Sequence, residues 1–338
     1  MVAATGIGSM PGTDIREAQR IVVGELPDFV HLVETPALGA LAAMTGRATA
    51  VMDALGFDLQ PAGWRLTDAA GVDQRRASSI LHQQLDVLEE LTQGYGARLK
   101  TQIAGPWTLA ATIERPRGDR ILADHGARRE VAQALAAGVA THVAELGRRV
   151  PGATLVVQVD EPALPAVLAA EIPTASGFSR HRSVDAAAAA EALGWVFAAI
   201  RAATAVPIVH CCAADVPVAQ VIDAGAAGIS FDLGLVRDAV YDDIAAMLEG
   251  GGELWLGVVP AVDSVPVQTD RQLVETVQRR ADEVGFDPAV LDDRLVVTPA
   301  CGLAGASSQW ARRALRLARS VSSALSGERE GVEADRRT

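Results

Sequence analysis

The amino-acid sequence predicts an α/β chain folded as a single (β/α)8, or TIM, barrel with a helical insertion after the second strand. Three observations carry this prediction. Short β-branched runs alternate with longer, alanine-rich amphipathic stretches, the pattern of βα units on a parallel sheet. Eight such runs can be counted, the number that closes a barrel. The unusual polar residues follow strands rather than precede them, and the C-terminal strand ends of a barrel converge on one mouth. A length of 338 residues suits a barrel with insertions. An open doubly wound sheet is the alternative. Its glycine-rich first turn would be GIGSMPG, residues 6–12, where Pro11 breaks the G-x-G-x-x-G interval.

Strand one is read at residues 5–9 (TGIGS), followed by a helix over 14–25 and strand two at 29–34 (FVHLVE). The connection 35–96 is too long for one crossover. It is assigned helices around 40–55 and 73–93, with a Gly/Pro/Trp loop at 56–65 between them. Strand three is 99–104, running into Gly-Pro-Trp. Helix 127–150 leads to strand four, 154–160 (TLVVQVD), which Glu161-Pro162 stops. After a loop of about twenty residues comes helix 184–204, then strand five at 207–212 (PIVHCC). Strands six, seven and eight are 228–232, 254–259 and 294–298; Cys301 follows the last, and helix 307–325 ends the fold. Residues 1–326 are thus expected to form one catalytic barrel. The charged, apolar-poor stretch 327–338 is expected to be a disordered tail.

Composition narrows the function. A net charge of −12 leaves no basic footprint for nucleic acid and no patch for anionic membranes. Apolar runs are broken by charges before they could span a bilayer. The N-terminus has neither a basic n-region nor an apolar h-region, so no signal peptide is expected. Three cysteines, two of them adjacent, make no disulfide framework and suit a reducing cytoplasm.

Those cysteines carry the sharpest chemical signal. A strand alternates faces, so His210 and Cys212 share one face while Cys211 points away. Imidazole nitrogen and thiolate sulfur suit zinc, and strand eight brings Cys301 to the same mouth. The competing reading is three inert cysteines packed as small hydrophobes. Asp232, ending strand six, is the candidate fourth ligand; it also reads as the cap of a helix starting near Val236. Asp160-Glu161-Pro162 is an acidic pair at a strand end, of which one member faces the mouth. A buried carboxylate there wants a partner, such as a substrate amino group, though the pair also reads as a turn onset. Glu34, ending strand two, could act likewise or sit at a helix N-terminus.

With these residues in place, the chain resembles the C-terminal, catalytic half of the cobalamin-independent methionine synthase family, from residue 5 to about residue 317. TGIGSMPGT resembles the family's Ile-Gly-Ser segment, VVQVDEPAL its Gln-x-Asp-Glu-Pro-Ala-Leu, VHCC its His-x-Cys, and VVTPACGL its Asn-Pro-Asp-Cys-Gly-Leu. GPWTLA is also similar to a segment of uroporphyrinogen decarboxylases, whose barrel is related. The resemblance implies a zinc-dependent methyltransferase acting on the thiol of homocysteine. It makes His210, Cys212 and Cys301 zinc ligands, with Asp232 where the family has a glutamate. Ile7, Gly8 and Ser9 would hold the amino-acid carboxylate. Asp160 would take the amine, with Glu34 as its acidic companion, and Glu161 remains a candidate substrate-binding residue beside them.

Three departures bear on the donor. The chain length leaves no room for the second, N-terminal barrel of full-length members. The ligand carboxylate is one methylene shorter. The family's acidic histidine after strand seven is missing from GVVPAVDSVP, where Asp263 is the nearest titratable group and hence the candidate acid. The expected donor is therefore not polyglutamated folate but a corrinoid-bound or otherwise activated methyl, which leaves without a proton, with a corrinoid protein as a candidate partner. A zinc alkyltransferase for another small thiol and a metal-free decarboxylase are the rival functions.

Overall fold

The structure, a computed structural model, describes residues 1–286 and 294–336, with side chains only to 326. In chain order its strands are β1 (Ala3–Ala4), β2 (Phe29–His31), β3 (Gly56–Gln60), β4 (Gly63–Thr67), β5 (Arg98–Ala104), β6 (Thr154–Asp160), β7 (Val206–Cys211), β8 (Gly228–Asp232), β9 (Glu253–Val259) and β10 (Leu295–Pro299). Eight of them form one parallel sheet in the order β1-β10-β9-β8-β7-β6-β5-β2. Its two end strands meet at the mouth through a bridge between Ser9 and Glu34. There Glu34 N–H donates to Gly8 O at 3.1 Å and Met10 N–H donates to Glu34 O at 2.8 Å. The sheet therefore closes as the expected (β/α)8 barrel.

Strand one differs from its expected span. Regular pairing stops at Ala4, and residues 5–9 continue irregularly toward the mouth. Glycine is the reason. Gly8 has φ +149°, and a Cβ there would lie 2.6 Å from the Gln102 side chain. This stretch exchanges ladder bonds for close approach to its neighbours.

The insertion after β2 holds α2 (Met44–Val51) and α3 (Val72–Leu91), but the stretch between them is not a loop. β3 and β4 pair as an antiparallel hairpin across Pro61-Ala62. Phe57 and Trp64 are buried beneath it. Alternating Phe57/Leu59 and Trp64/Leu66 supplied the strand signal; the Gly and Pro residues mark only its turn.

The remaining helices cover the outside of the barrel. α1 (Ile15–Glu25) is capped by Asp14, which accepts from Glu17 N–H at 2.9 Å. α4 (Pro106–Thr112), α5 (His125–Arg149), α6 (Leu164–Leu168), α7 (Ala186–Ala202), α8 (Val218–Asp223), α9 (Tyr241–Glu249) and α10 (Asp270–Val284) follow. α11 (Ser308–Arg336) runs on into the segment expected to be a tail, whose Glu, Arg and Ala residues favour helix. No helix among the described residues is long and apolar enough to cross a membrane.

Inside, the barrel is layered, because alternate residues of each strand point inward. The lowest layer is apolar: Phe29, Val156, Ile208, Trp255 and Val296. Arg98 closes it, its guanidinium 4.3 Å above the Phe29 ring and paired to Glu253 at 2.8 Å. The next positions up the strands are polar and buried: His31, Lys100, Gln158, Ser230 and Thr298. Above them lie Gln102, Asp160 and His210 at the mouth.

Candidate metal and substrate site at the barrel mouth

β7 ends in the group that the alternation rule singles out. His210, Cys212 and Cys301 bring one ligand atom each within 4.8 Å of one another, and the two sulfurs lie 3.3 Å apart. Cys211 points the other way, buried in the apolar core, and burial pushes its thiol up to about 12. His210 Nδ1 is bonded to Ser230 Oγ at 2.9 Å, while its Nε2 is buried without a partner. A ring held at one nitrogen with the other bare, facing two sulfurs, is the arrangement of a metal-binding histidine. Within the sulfur pair, the shared hydrogen bond drives the two thiols apart, lowering Cys301, which the nearby imidazole also favours as an anion, and raising Cys212. The donor set of one imidazole and two sulfurs fits zinc.

Asp232 stands near this group but outside it. Its Oδ1 accepts the Gly234 N–H at 2.8 Å in a tight turn at the end of β8. Burial, and then the Cys301 sulfur, raise its carboxyl. It does not cap the helix expected near Val236 either, since α9 begins only at Tyr241. A short 3-10 turn, Asp238–Val240, occupies the interval.

The acidic residues separate sharply. Asp160 is buried at the mouth, opposite His210 in the β6–β7 register, and accepts from Gln158 Nε2 at 2.6 Å. Burial raises its carboxyl to about 7, and the charge of Glu34 adds to the rise. Glu34 is buried and paired to Arg47 Nε at 3.1 Å; Arg47 also meets Gln84. Glu161, expected beside the substrate, is engaged by the start of α4. Its carboxylate is fully buried and accepts from Trp107 N–H at 2.9 Å, Thr108 N–H at 2.8 Å and Thr108 Oγ at 2.8 Å. It satisfies the first turn of α4, whose amides have no intrahelical acceptor. Asp263, expected as an acid, is exposed and accepts from Ser307 N–H at 2.8 Å and Ser307 Oγ at 2.6 Å. Those bonds hold its carboxyl below the ordinary range, as an acceptor at the start of α11.

Ile7, Gly8 and Ser9 line the mouth beside Cys301. Ser9 O accepts from Leu303 N–H at 2.9 Å, and a Cβ on Gly302 would lie 2.1 Å from Ser9 Oγ. The amides of Ile7, Gly8 and Ser9 find no acceptor among the described residues. Consecutive bare amides of this kind receive anions. Two residues here escaped the sequence reading. Lys100 and Arg47 are both fully buried cations. Lys100 was signalled by polar residues two apart, Lys100/Gln102 and Gln158/Asp160, which must share an inward face. Arg47 has no such signal. A groove of about 1030 Å3 between α1 and α11 touches none of the cluster, and its Arg312, Arg313 and Arg316 are balanced by Asp14, Glu17 and Asp270.

Comparison with known proteins adds a family. The family described as cobalamin-independent synthase, catalytic domain, matches residues 77–324. No curated protein matches. Among solved structures, a B12-independent methionine synthase from Shewanella sp. W3-18-1, in complex with selenomethionine, is similar in fold. Its TM-score is 0.61 at 13% identity, over 98% of this chain and 99% of that one. A 2,3-dimethylmalate lyase of the PEP mutase/isocitrate lyase superfamily gives a TM-score of 0.38 at 13% identity, over 99% of this chain and 93% of that one.

Proposed function

We propose a reaction from this premise: the chain belongs to the cobalamin-independent synthase family, through its catalytic domain, and is an enzyme of the methionine-synthase type. The reaction is transfer of a methyl group to the thiol of homocysteine, giving methionine, with zinc as cofactor. The observation that carries it is the bare, buried Nε2 of His210 set against the Cys212 and Cys301 sulfurs. Those three residues would hold the metal, with Asp232 free to complete the set by releasing Gly234 N–H. Zinc bound there would keep an acceptor sulfur deprotonated near neutral pH, where a free thiol is mostly protonated.

The chain's own groups do the rest. Ser230 fixes the His210 ring. Asp160 meets the substrate ammonium, whose charge favours the ionised carboxylate that burial opposes. Glu34, anchored by Arg47, adds a second negative charge to that subsite. The bare amides of Ile7, Gly8 and Ser9 take the substrate carboxylate. Together they hold the thiol in one orientation for in-line attack, a gain in proximity.

The family is cobalamin-independent, which removes the support for the corrinoid-bound methyl and the corrinoid protein expected from the sequence. Asp263, occupied by Ser307, supplies no proton to a departing amine. The donor read from this is a methyl that leaves without protonation, such as a sulfonium methyl.

The test pairs metal analysis with ligand binding. Purified protein should carry about one zinc per chain. Asp160→Asn should weaken homocysteine about tenfold or more relative to a simple alkyl thiol, because only homocysteine loses a charge-assisted contact. Full methionine formation by zinc-free protein, or equal weakening of both thiols, would overturn the reading.

A further inference from the structure

We propose that Lys100 is a positioning residue: it fixes the Ile7–Gly8 peptide so that the Gly8 amide faces the substrate carboxylate. This rests on the homocysteine reading above and names the part of the barrel interior that makes it selective.

Lys100 lies one interior layer below the mouth and is 0% exposed. Its ammonium donates to Ile7 O at 2.7 Å, Gln158 Oε1 at 2.6 Å and Gln102 Oε1 at 3.3 Å. All three of its hydrogens therefore go to uncharged oxygens. The charges of Asp160 and Glu34 act on it from a distance and favour the ammonium, against the cost of burial. Burying a lysine to bond a backbone carbonyl is expensive, and here one of its bonds goes to a single peptide carbonyl while the others hold the two glutamines beside it.

Ile7 O is held twice, since Gln158 Nε2 also donates to it at 2.9 Å. A peptide is planar and trans, so a carbonyl drawn into the interior turns the next N–H to the opposite side. That next N–H belongs to Gly8, one of the three amides without an acceptor. The opposite edge of the segment is fixed by Glu34 N–H on Gly8 O at 3.1 Å, and Gln102 packs where a Gly8 Cβ would be. Gln158 extends the same network to Asp160, at 2.6 Å. One buried cation thus braces the carboxylate and ammonium subsites together, without touching substrate.

The experiment compares homocysteine with 3-aminopropane-1-thiol, which keeps the thiol and amine but lacks the carboxylate. Both are titrated into zinc-loaded wild-type, Lys100→Met and Lys100→Arg proteins, with zinc content and thermal unfolding measured alongside. Wild type should prefer homocysteine, and Lys100→Met should lose about tenfold or more of that preference while keeping its zinc. Lys100→Arg keeps the charge, and with it the fold if Lys100→Met unfolds. It should lose preference too, because a planar fork cannot reproduce three bonds that spread from one nitrogen to three acceptors. A preference retained in a folded variant overturns the proposal. A general loss of stability would weaken both thiols alike, and that outcome also overturns it. Wild type that shows no preference for homocysteine refutes the functional reading itself, which keeps the two failures distinct.

Discussion

Glu161→Ala should destabilise the barrel and leave ligand binding by the folded protein unchanged. The carboxylate is completely buried behind the mouth and accepts three hydrogen bonds, from Trp107 N–H, Thr108 N–H and Thr108 Oγ. Truncation strands the two backbone donors at the start of α4, at about 1–3 kcal/mol each, while the hydroxyl can rotate to another acceptor. Part of this is offset, because burial pushes the carboxyl up to about 7, so the ionised group is itself held at a cost. The net loss should be about 1–3 kcal/mol. Urea unfolding at about pH 8, where the group is ionised despite burial, reads it directly. Gly105→Ala should act in the same sense, since its Cβ would lie 2.3 Å from Glu161 Oε1. A Glu161→Ala protein within about 1 kcal/mol of wild type but with homocysteine binding weakened tenfold would refute the reasoning and return Glu161 to the substrate.

Other expectations concern the metal group, the core and the donor. Cys212→Ser and Cys301→Ser should each lose most bound zinc by metal analysis, whereas Cys211→Ser should keep it, because Cys211 points into the core. His142, buried against Thr101 at 3.0 Å, is held neutral, its imidazole lowered to about 4 by burial. A depressed folded value means stability is full above the unfolded value near 6.5 and is lost as pH falls toward about 4. Wild type should therefore lose up to about 3 kcal/mol over that window that His142→Gln retains, measured by denaturant midpoints. Arg98→Met leaves Glu253 at the barrel floor without its cation and should cost about 2 kcal/mol, read as a fall in melting temperature. With homocysteine, a sulfonium donor should give methionine faster than methyltetrahydrofolate at matched concentration; efficient folate turnover would mean that another group supplies the proton.

Much of the fold and part of the site were legible in the residue pattern alone. Alternation with period two puts His210 and Cys212 on one face and Cys211 on the other, whatever the rest of the chain does. The parallel βα order then sends strand ends to one mouth, so Cys301 could be placed beside residues 89 positions away. Tertiary structure decided which carboxylates face that mouth. Asp160 and Glu161 are adjacent, but the amides of Trp107 and Thr108 claim Glu161. Ser307 claims Asp263 from 44 residues away. Lys100 sits on a strand whose polar alternation was readable, yet its partner is a backbone carbonyl, and every residue carries one of those. That is the physical limit: side-chain periodicity records which face a residue occupies, whereas the backbone groups that satisfy a buried charge carry no sequence label and are met only when the chain closes.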